Sequence, residues 1–444
     1  MANKVVKFGG SSLADANQFR KVADIIKSDD KRRYVVPSAP GKRFSDDIKV
    51  TDMLYKCCEL AGSGVDFTED FQIIKDRYNG IISDLGIDIS LDADFDIIVN
   101  ELKSRPVKDY AASRGEFLNG KVLAAYLGFN FVDAADVVIF DTKGQLLLDE
   151  TVKAVRAQLK DLDNAVIPGF YGRTTEGVIK TFSRGGSDVT GSIIANAVNA
   201  EIYENWTDVS GFLVADPRIV ENPEAIETIT YRELRELAYM GASVLHEDAI
   251  FPVRSAGIPI NIRNTNKPED AGTMIVSNDY DFSRESLGHT ITGIAGKKGF
   301  STINIEKAMM NNELGFGMKV LNVLYQNGIS FEHMPSGIDT MSITVDSSKL
   351  EPVREKVLAE IRREVNPDHL EIEDNIAILA VVGRRMKNTR GTVARVFAAM
   401  AHARINVKLI DQGSSELNVI IGVSESDLPE AIRRIYDMFI NSEK

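Results

Sequence analysis

Up to about residue 290, short β-type apolar runs alternate with stretches whose apolar residues recur at helical spacing. The pattern predicts strands at 4–8, 34–37, 136–140 and 165–168, and helices at 16–27, 121–127 and 152–159. Such alternation builds an α/β sandwich around a mostly parallel sheet. Two helix starts read as capping boxes, Ser12 with Asp15 and Thr230 with Glu233, the second helix closing at Gly241. The Pro-, Asn- and Gly-rich stretch 264–272 and the polar stretch 277–288 read as a boundary, which gives a first domain of residues 1–288.

The remainder contains a repeat. GFGMKVLNVLYQNGISFEHM begins at Gly315, and RGTVARVFAAMAHARINVKLID has its glycine at Gly391, 76 positions later. The same offset maps Ile329 onto Ile405 and 343–345 onto 419–421. Each copy reads strand, glycine-led helix, strand, strand, helix, the βαββαβ grammar of a ferredoxin-like module. The second copy lacks a last strand, because only five residues follow its helix near 427–439. The unclaimed strand is 291–295, so the first module (299–374) is expected to be inserted into the second (289–298 plus 375–444).

Composition narrows the function. Lys+Arg 52 against Asp+Glu 65 gives a net charge of −13, which argues against nucleic acid as a partner. The longest clear apolar run, 376–382, is a strand's length and far short of the ~18 residues of a membrane helix. MANKVVKFGG has no apolar signal region, and the only cysteines, Cys57 and Cys58, are adjacent and poorly placed for a staple. A cytoplasmic protein is expected, outside the membrane.

Several motifs could carry chemistry. KFGGSS (7–12) sets two glycines between a strand and a helix, where N–H groups and the helix N-terminus face an anion and Lys7 reaches a phosphate. The alternative is a plain turn. FSRGGSDVTGS (182–192) repeats the logic: Arg184 suits a carboxylate or phosphate, and Asp188 suits an ammonium or simply caps its helix. WTDVSGFLVADPR (206–218) supplies Asp208, Asp216 and Arg218, with Asp216-Pro217 also a plain turn start. SRGEFLNGK (113–121) offers Arg114 and Glu116, or a solvated helix face. His246 and Glu247 would need a histidine at 250 for a zinc helix, and Ile250 stands there, so no protein-held metal is expected.

In this order, KFGGSS, VTDMLY (50–55), SRGE (113–116), FSRGGSD, WTDVSG, ADPR (215–218) and GASVLH (241–246) resemble the aspartate kinases of the amino-acid kinase family, and the tail resembles their paired ACT domains. The resemblance covers essentially the whole chain and implies the carbamate-kinase-like three-layer sandwich followed by two ACT modules. It implies ATP-dependent phosphorylation of the L-aspartate β-carboxylate to 4-phospho-L-aspartate, with Mg²⁺ held by the ATP phosphates. By similarity, Lys7, Arg184 and Asp188 are catalytic. The nucleotide site takes Lys7, Gly9, Gly10, Ser11, Thr207, Asp208, Asp216, Arg218, Ser243 and Val244. The aspartate site takes Ser38, Thr51, Glu116, Arg184, Ser187 and Asp188.

Three positions depart from the family pattern. Ser243 stands where members commonly carry lysine (with Glu247 in place of the following proline), Leu213 where an aromatic residue often follows WTDxxG, and residues 40–52 form a longer, more charged loop, a lid or a solvated insertion. The ACT pair implies feedback inhibition by an amino acid, lysine ahead of threonine or both, and a homodimer or higher. The effector residues implied are Met310, Glu313, Gly315, Phe316, Gly317, Ser330, Phe331, Glu332, Ser336, Gly337 and Ile338; Glu332 could receive an ε-ammonium. Two other readings stay open: a kinase for another carboxylate such as glutamate, and an amino-acid sensor with a decayed kinase domain.

Overall fold

The computed structural model of the protein describes residues 3–442, apart from 184, 242–244, 246 and 285–287, and gives the backbone alone for 247, 248 and 284. The chain divides into two compact units, one of 1–212, 225–231 and 244–280, the other of 213–224, 232–243 and 281–444. The strands of the first are β1 (Lys4–Phe8), β2 (Arg32–Pro37), β3 (Asn130–Phe131), β4 (Ile139–Phe140), β5 (Ala165–Val166), β6 (Tyr171–Thr174), β7 (Ile179–Thr181), β8 (Ile202–Thr207), β9 (Thr228–Thr230), β10 (Ile260–Asn264) and β11 (Thr273–Val276). Eight of them form a sheet in the order β3-β5-β2-β1-β8-β10-β11-β9, parallel except where β10 meets β11. β4, β6 and β7 make a small second sheet. β1 is central, and Val5, Val6 and Phe8 are fully buried, as strands covered on both faces must be.

Most predicted elements are present, with corrections that have local causes. The expected strand 136–140 starts instead as a short helix, Ala134–Val137, because the Asp133 carboxylate caps it by accepting from Ala135 N–H; only β4 is extended. Helix 121–127 is the end of a longer helix, Lys108–Leu127. The Ser12 capping box does not form: Ser12 sits in a 3₁₀ turn, its hydroxyl 2.8 Å from Thr265 Oγ1, and Asp15 itself caps Ala16–Lys27 by accepting from Gln18 N–H. The stretch 264–272 connects β10 to β11 within the sheet, and the units change at 280–281.

In the second unit β12 (Gly293–Glu306), β13 (Phe331–His333), β14 (Thr340–Asp346), β15 (His369–Val382), β16 (Leu409–Asp411) and β17 (Asn418–Ser424) form one sheet, ordered β13-β14-β12-β15-β17-β16. Its pairings are antiparallel. The repeat is visible residue by residue: helices Phe316–Gln326 and Thr392–His402 start after left-handed glycines, Gly315 at φ 78° and Gly391 at φ 82°. The long strands β12 and β15 pair with each other; β14 joins β12 over 300–306 and β17 joins β15 over 376–382. Among the described residues no helix is long and apolar enough to cross a membrane.

Candidate functional site

In the first unit's sheet the chain leaves β1 for β2 on one side, and β8 lies on the other. The ends of β1 and β8 therefore flank a switch point, where a crevice opens at the carboxyl edge of a parallel sheet. A cavity of about 610 Å³ lies there, lined by Gly9, Gly10, Ser11, Ser38, Thr51, Glu116, Thr207 and Asp208 together with residues of the 39–49 loop. Sequence motifs separated by up to two hundred positions thus meet in one place.

Lys7 is held by a triangle of which Lys7 and Asn205 are buried and Asp188 half-buried. Its Nζ lies 2.6 Å from Asp188 Oδ1 and donates to Asn205 Oδ1 at 3.3 Å, and Asn205 Nδ2 donates back to Asp188 Oδ1 at 2.8 Å. The sheet fixes this arrangement, since Lys7 on β1 is in register with Asn205 on β8. Asp188 stands in the first turn of helix Gly186–Ala197, whose N-cap is Gly185 at φ 57°, so the aspartate serves the lysine rather than capping the helix. Phe170 holds φ 80° next to Gly169, where a Cβ would lie 2.6 Å from Ser187 Cβ. Positive φ is costly for a bulky residue, and here it brings the strand-end turn against the start of that helix.

Glu116 is buried, not on a solvated face. Its helix approaches the 38–39 loop so closely that a Cβ on Gly115 would lie 2.8 Å from Ala39 Cβ. Asn119 Nδ2 donates to Ser38 O at 2.7 Å, fixing helix to loop, and Tyr78 Oη of helix Thr68–Leu85 donates to Gly115 O at 2.7 Å. Burial pushes the Glu116 carboxyl up to about 8, opposed by the Ala39 N–H and the Arg114 charge. Its Oε2 is buried without a hydrogen-bond partner. Arg114 is buried as well, its guanidinium over the rings of Phe117 at 4.5 Å, Tyr110 at 4.8 Å and Tyr171 at 5.2 Å. One wall thus offers a buried carboxyl with a free acceptor, the environment that receives a cationic group.

Other expected residues are placed differently. Asp216 and Arg218 belong to the second unit, where they pair with each other at 2.7 Å. Arg184, Ser243 and Val244 lie outside the described residues. In the second unit Glu313 is paired with Lys307 and, at 2.7 Å, with Lys319, and Tyr239 Oη donates to Glu332. The ring of Phe331 and the Ile338 side chain are exposed. Asn205, Asn119 and a buried Asp47–Arg77 pair were not expected. Glu204 and Asn205 side by side in a strand that is otherwise apolar were the available signal for the first.

The sequence matches the Amino acid kinase family over residues 3–264 and the ACT domain over 379–439. Aspartokinase 3 of Bacillus subtilis (strain 168) is 39% identical, across 98% of this chain and 98% of that protein. The crystal structure of Clostridium acetobutylicum aspartate kinase matches with a TM-score of 0.92 and 51% identity, covering 99% of this chain and 100% of that one. E. coli aspartokinase III, solved in complex with aspartate and ADP, has the same fold at a TM-score of 0.71 and 22% identity, over 98% of this chain and 99% of that one.

Proposed function

The chain belongs to the amino-acid kinase family, among its aspartate kinases, and we propose that it moves the γ-phosphoryl group of ATP onto the β-carboxylate of L-aspartate, giving 4-phospho-L-aspartate, the first step toward lysine, threonine and methionine. The observation that carries this reading is the Lys7–Asp188–Asn205 triangle at the carboxyl edge of the sheet. A carboxylate nucleophile is ionised at pH 7 and needs no general base, so the protein's work is alignment and neutralisation of charge. Lys7, held from two sides, faces the transferring phosphoryl oxygens, and the N–H of Gly10 assists, that of Gly9 being donated to Trp206 O at 3.0 Å. Glu116 receives the substrate ammonium; Thr51, Ser38, Ser187, Arg184 and Asp188 orient the rest. Thr207 and Asp208 line the nucleotide site in the cavity; for Asp216, Arg218, Ser243 and Val244 the nucleotide role rests on the family resemblance alone. A Mg²⁺ held by the nucleotide phosphates would supply charge neutralisation there.

We further propose the division into a catalytic domain 1–288, an inserted ACT module 299–374 and a second module of 289–298 plus 375–444, with feedback inhibition through the tail, by lysine ahead of threonine. Glu332 supports the preference for a cationic effector. Exposed Leu314, Met318, Tyr325, Phe331 and Ile338 on the first module support pairing with a second copy of the chain. Buried, unbridged Cys57 and Cys58 fit a reducing cytoplasmic setting.

The test is ATP-dependent hydroxamate formation from L-aspartate, with and without lysine and threonine. Turnover suppressed by lysine is expected. Lys7→Ala is expected to lower kcat by roughly 10²–10³-fold, about 3–4 kcal/mol of transition-state stabilisation. Near-normal turnover in that variant would remove Lys7 from its role, and turnover with glutamate alone would change the substrate.

A further inference from the structure

One wall of the cavity comes from a loop that has had no part in this mechanism. Its first residues run in backbone contact with the glycine turn: Gly41 N–H donates to Gly10 O at 2.8 Å. A Cβ on Gly41 would lie 2.6 Å from Gly10 C, and one on Gly10 would lie 2.9 Å from Ala39 O. Neither position tolerates a side chain without moving backbone, so turn and loop are locked together.

The loop is also fastened from beneath. Asp47 is buried and accepts from Arg43 N–H at 2.9 Å, Arg43 Nε at 2.8 Å, Arg43 Nη2 at 2.9 Å and Arg77 Nη1 at 2.9 Å. Arg77, on helix Thr68–Leu85, is buried too, and donates to the carbonyls of Ile48 at 3.2 Å, Ala14 at 3.2 Å and Gly41. These bonds hold the Asp47 carboxyl well below the usual carboxylate range. A loop tied by a buried ion pair is anchored at its base, while residues 42–46 face solvent.

This anchoring leaves two cations on the cavity wall. Lys42 and Lys49 both line it and both are exposed to it. Among the described residues neither has an acidic partner: Lys42 Nζ reaches only Ser45 O at 3.1 Å. Lys49 is the N-cap of helix Val50–Gly62, a position that favours Ser, Thr, Asp or Asn and that the helix dipole makes unfavourable for a cation. A cation kept there without a structural partner points to an anionic ligand.

We propose that Lys42 and Lys49 are phosphate-binding residues, contacting the polyphosphate of the nucleotide in the cavity that they line together with the Gly9–Gly10 turn. The proposal rests on the nucleotide reading above. It places on an anchored loop the positive charge that Ser243 cannot supply. The loop's rigidity matters, because a clamp on a mobile segment would lose affinity to ordering.

The experiment measures binding of ADP and of adenosine, by calorimetry, to wild type, Lys42→Gln, Lys49→Gln, the double variant and the Lys→Arg pair, with KM for ATP and for aspartate alongside. Each single change is expected to weaken ADP binding roughly three- to tenfold, as for a partly screened charge pair. Adenosine binding and the aspartate KM should stay within about twofold, and arginine should restore most of the loss. The dependence of ADP affinity on salt should also become shallower in the double variant. Variants that bind ADP as wild type does, or that lose adenosine equally, would overturn the proposal. Wild-type protein that binds no ADP would overturn it together with the nucleotide reading.

Discussion

Glu116→Gln is the substitution whose effect can be worked furthest from the geometry, because it keeps the shape of the side chain and removes its titration. The carboxyl, raised to about 8 by burial, is ionised in only about one molecule in ten at pH 7 and about one in a hundred at pH 6. An incoming ammonium binds the ionised form. The KM for aspartate should therefore fall about tenfold from pH 6 to pH 7, fall more gently to pH 8, and level off above it. The sign follows from the direction of the shift: an acid with a raised pKa is charged only at the alkaline end. Neighbouring groups do not mimic this window, since burial first of all pushes Tyr55, Tyr78 and Tyr171 upward, away from it. A charge-assisted bond in a buried site is worth about 1.5–3 kcal/mol. At pH 8 the glutamine variant should accordingly show a KM roughly 10- to 150-fold higher than wild type. At pH 6, where wild type is itself mostly neutral, the two should approach each other. The assay is initial-rate hydroxamate formation at saturating ATP from pH 6 to 8.5. A wild-type KM that is flat over this range, or a ratio between the two proteins that does not change with pH, would refute the reasoning.

Two further substitutions probe the supports of the site. Asn205→Leu, at a buried position in register with Lys7, removes an amide that bridges lysine and aspartate at a cost of about 1–3 kcal/mol; kcat should drop about tenfold or more while ADP affinity is kept, and an unchanged kcat would leave the amide without a positioning role. Gly115→Ala would ordinarily favour a helix by up to about 1 kcal/mol, but its Cβ 2.8 Å from that of Ala39 should reverse the sign, giving about 1–3 kcal/mol of destabilisation in denaturant unfolding and a raised aspartate KM; a gain in stability would show that the loop yields freely.

Elements with a one-sided environment were legible in the sequence. The Ala16–Lys27 helix buries Phe19, Val22, Ala23 and Ile26 along one stripe, and the periodicity gave its bounds. The helix Lys108–Leu127 was mostly missed, because Ser113, Arg114, Gly115, Glu116 and Asn119 are buried alongside its apolar residues. A helix surrounded on all sides has no stripe to read. The site motifs were legible as motifs, and the cavity gathers residues of KFGGSS, VTDMLY, SRGE and WTDVSG. What stayed hidden were partners chosen by sheet register or by distant helices, such as Asn205 for Lys7 and Arg77 for Asp47. Their residue types carry no mark of the pairing.

The two 14-residue strands of the second unit, β12 and β15, have a consequence for how the tail comes apart. They pair with each other at both ends, and β14 adds beside β12 at one end while β17 adds beside β15 at the other, so both copies of the repeat lean on the same pair of strands. No single cut in the chain between them leaves either copy with its full set of strands. Melting one end frays the ribbon on which the other end is built, so the tail should lose its structure as one cooperative block. Closing that ribbon requires residues near 300 to find residues near 376, a long loop that must be ordered before either copy can be finished, which makes its assembly the slow step of folding in this unit.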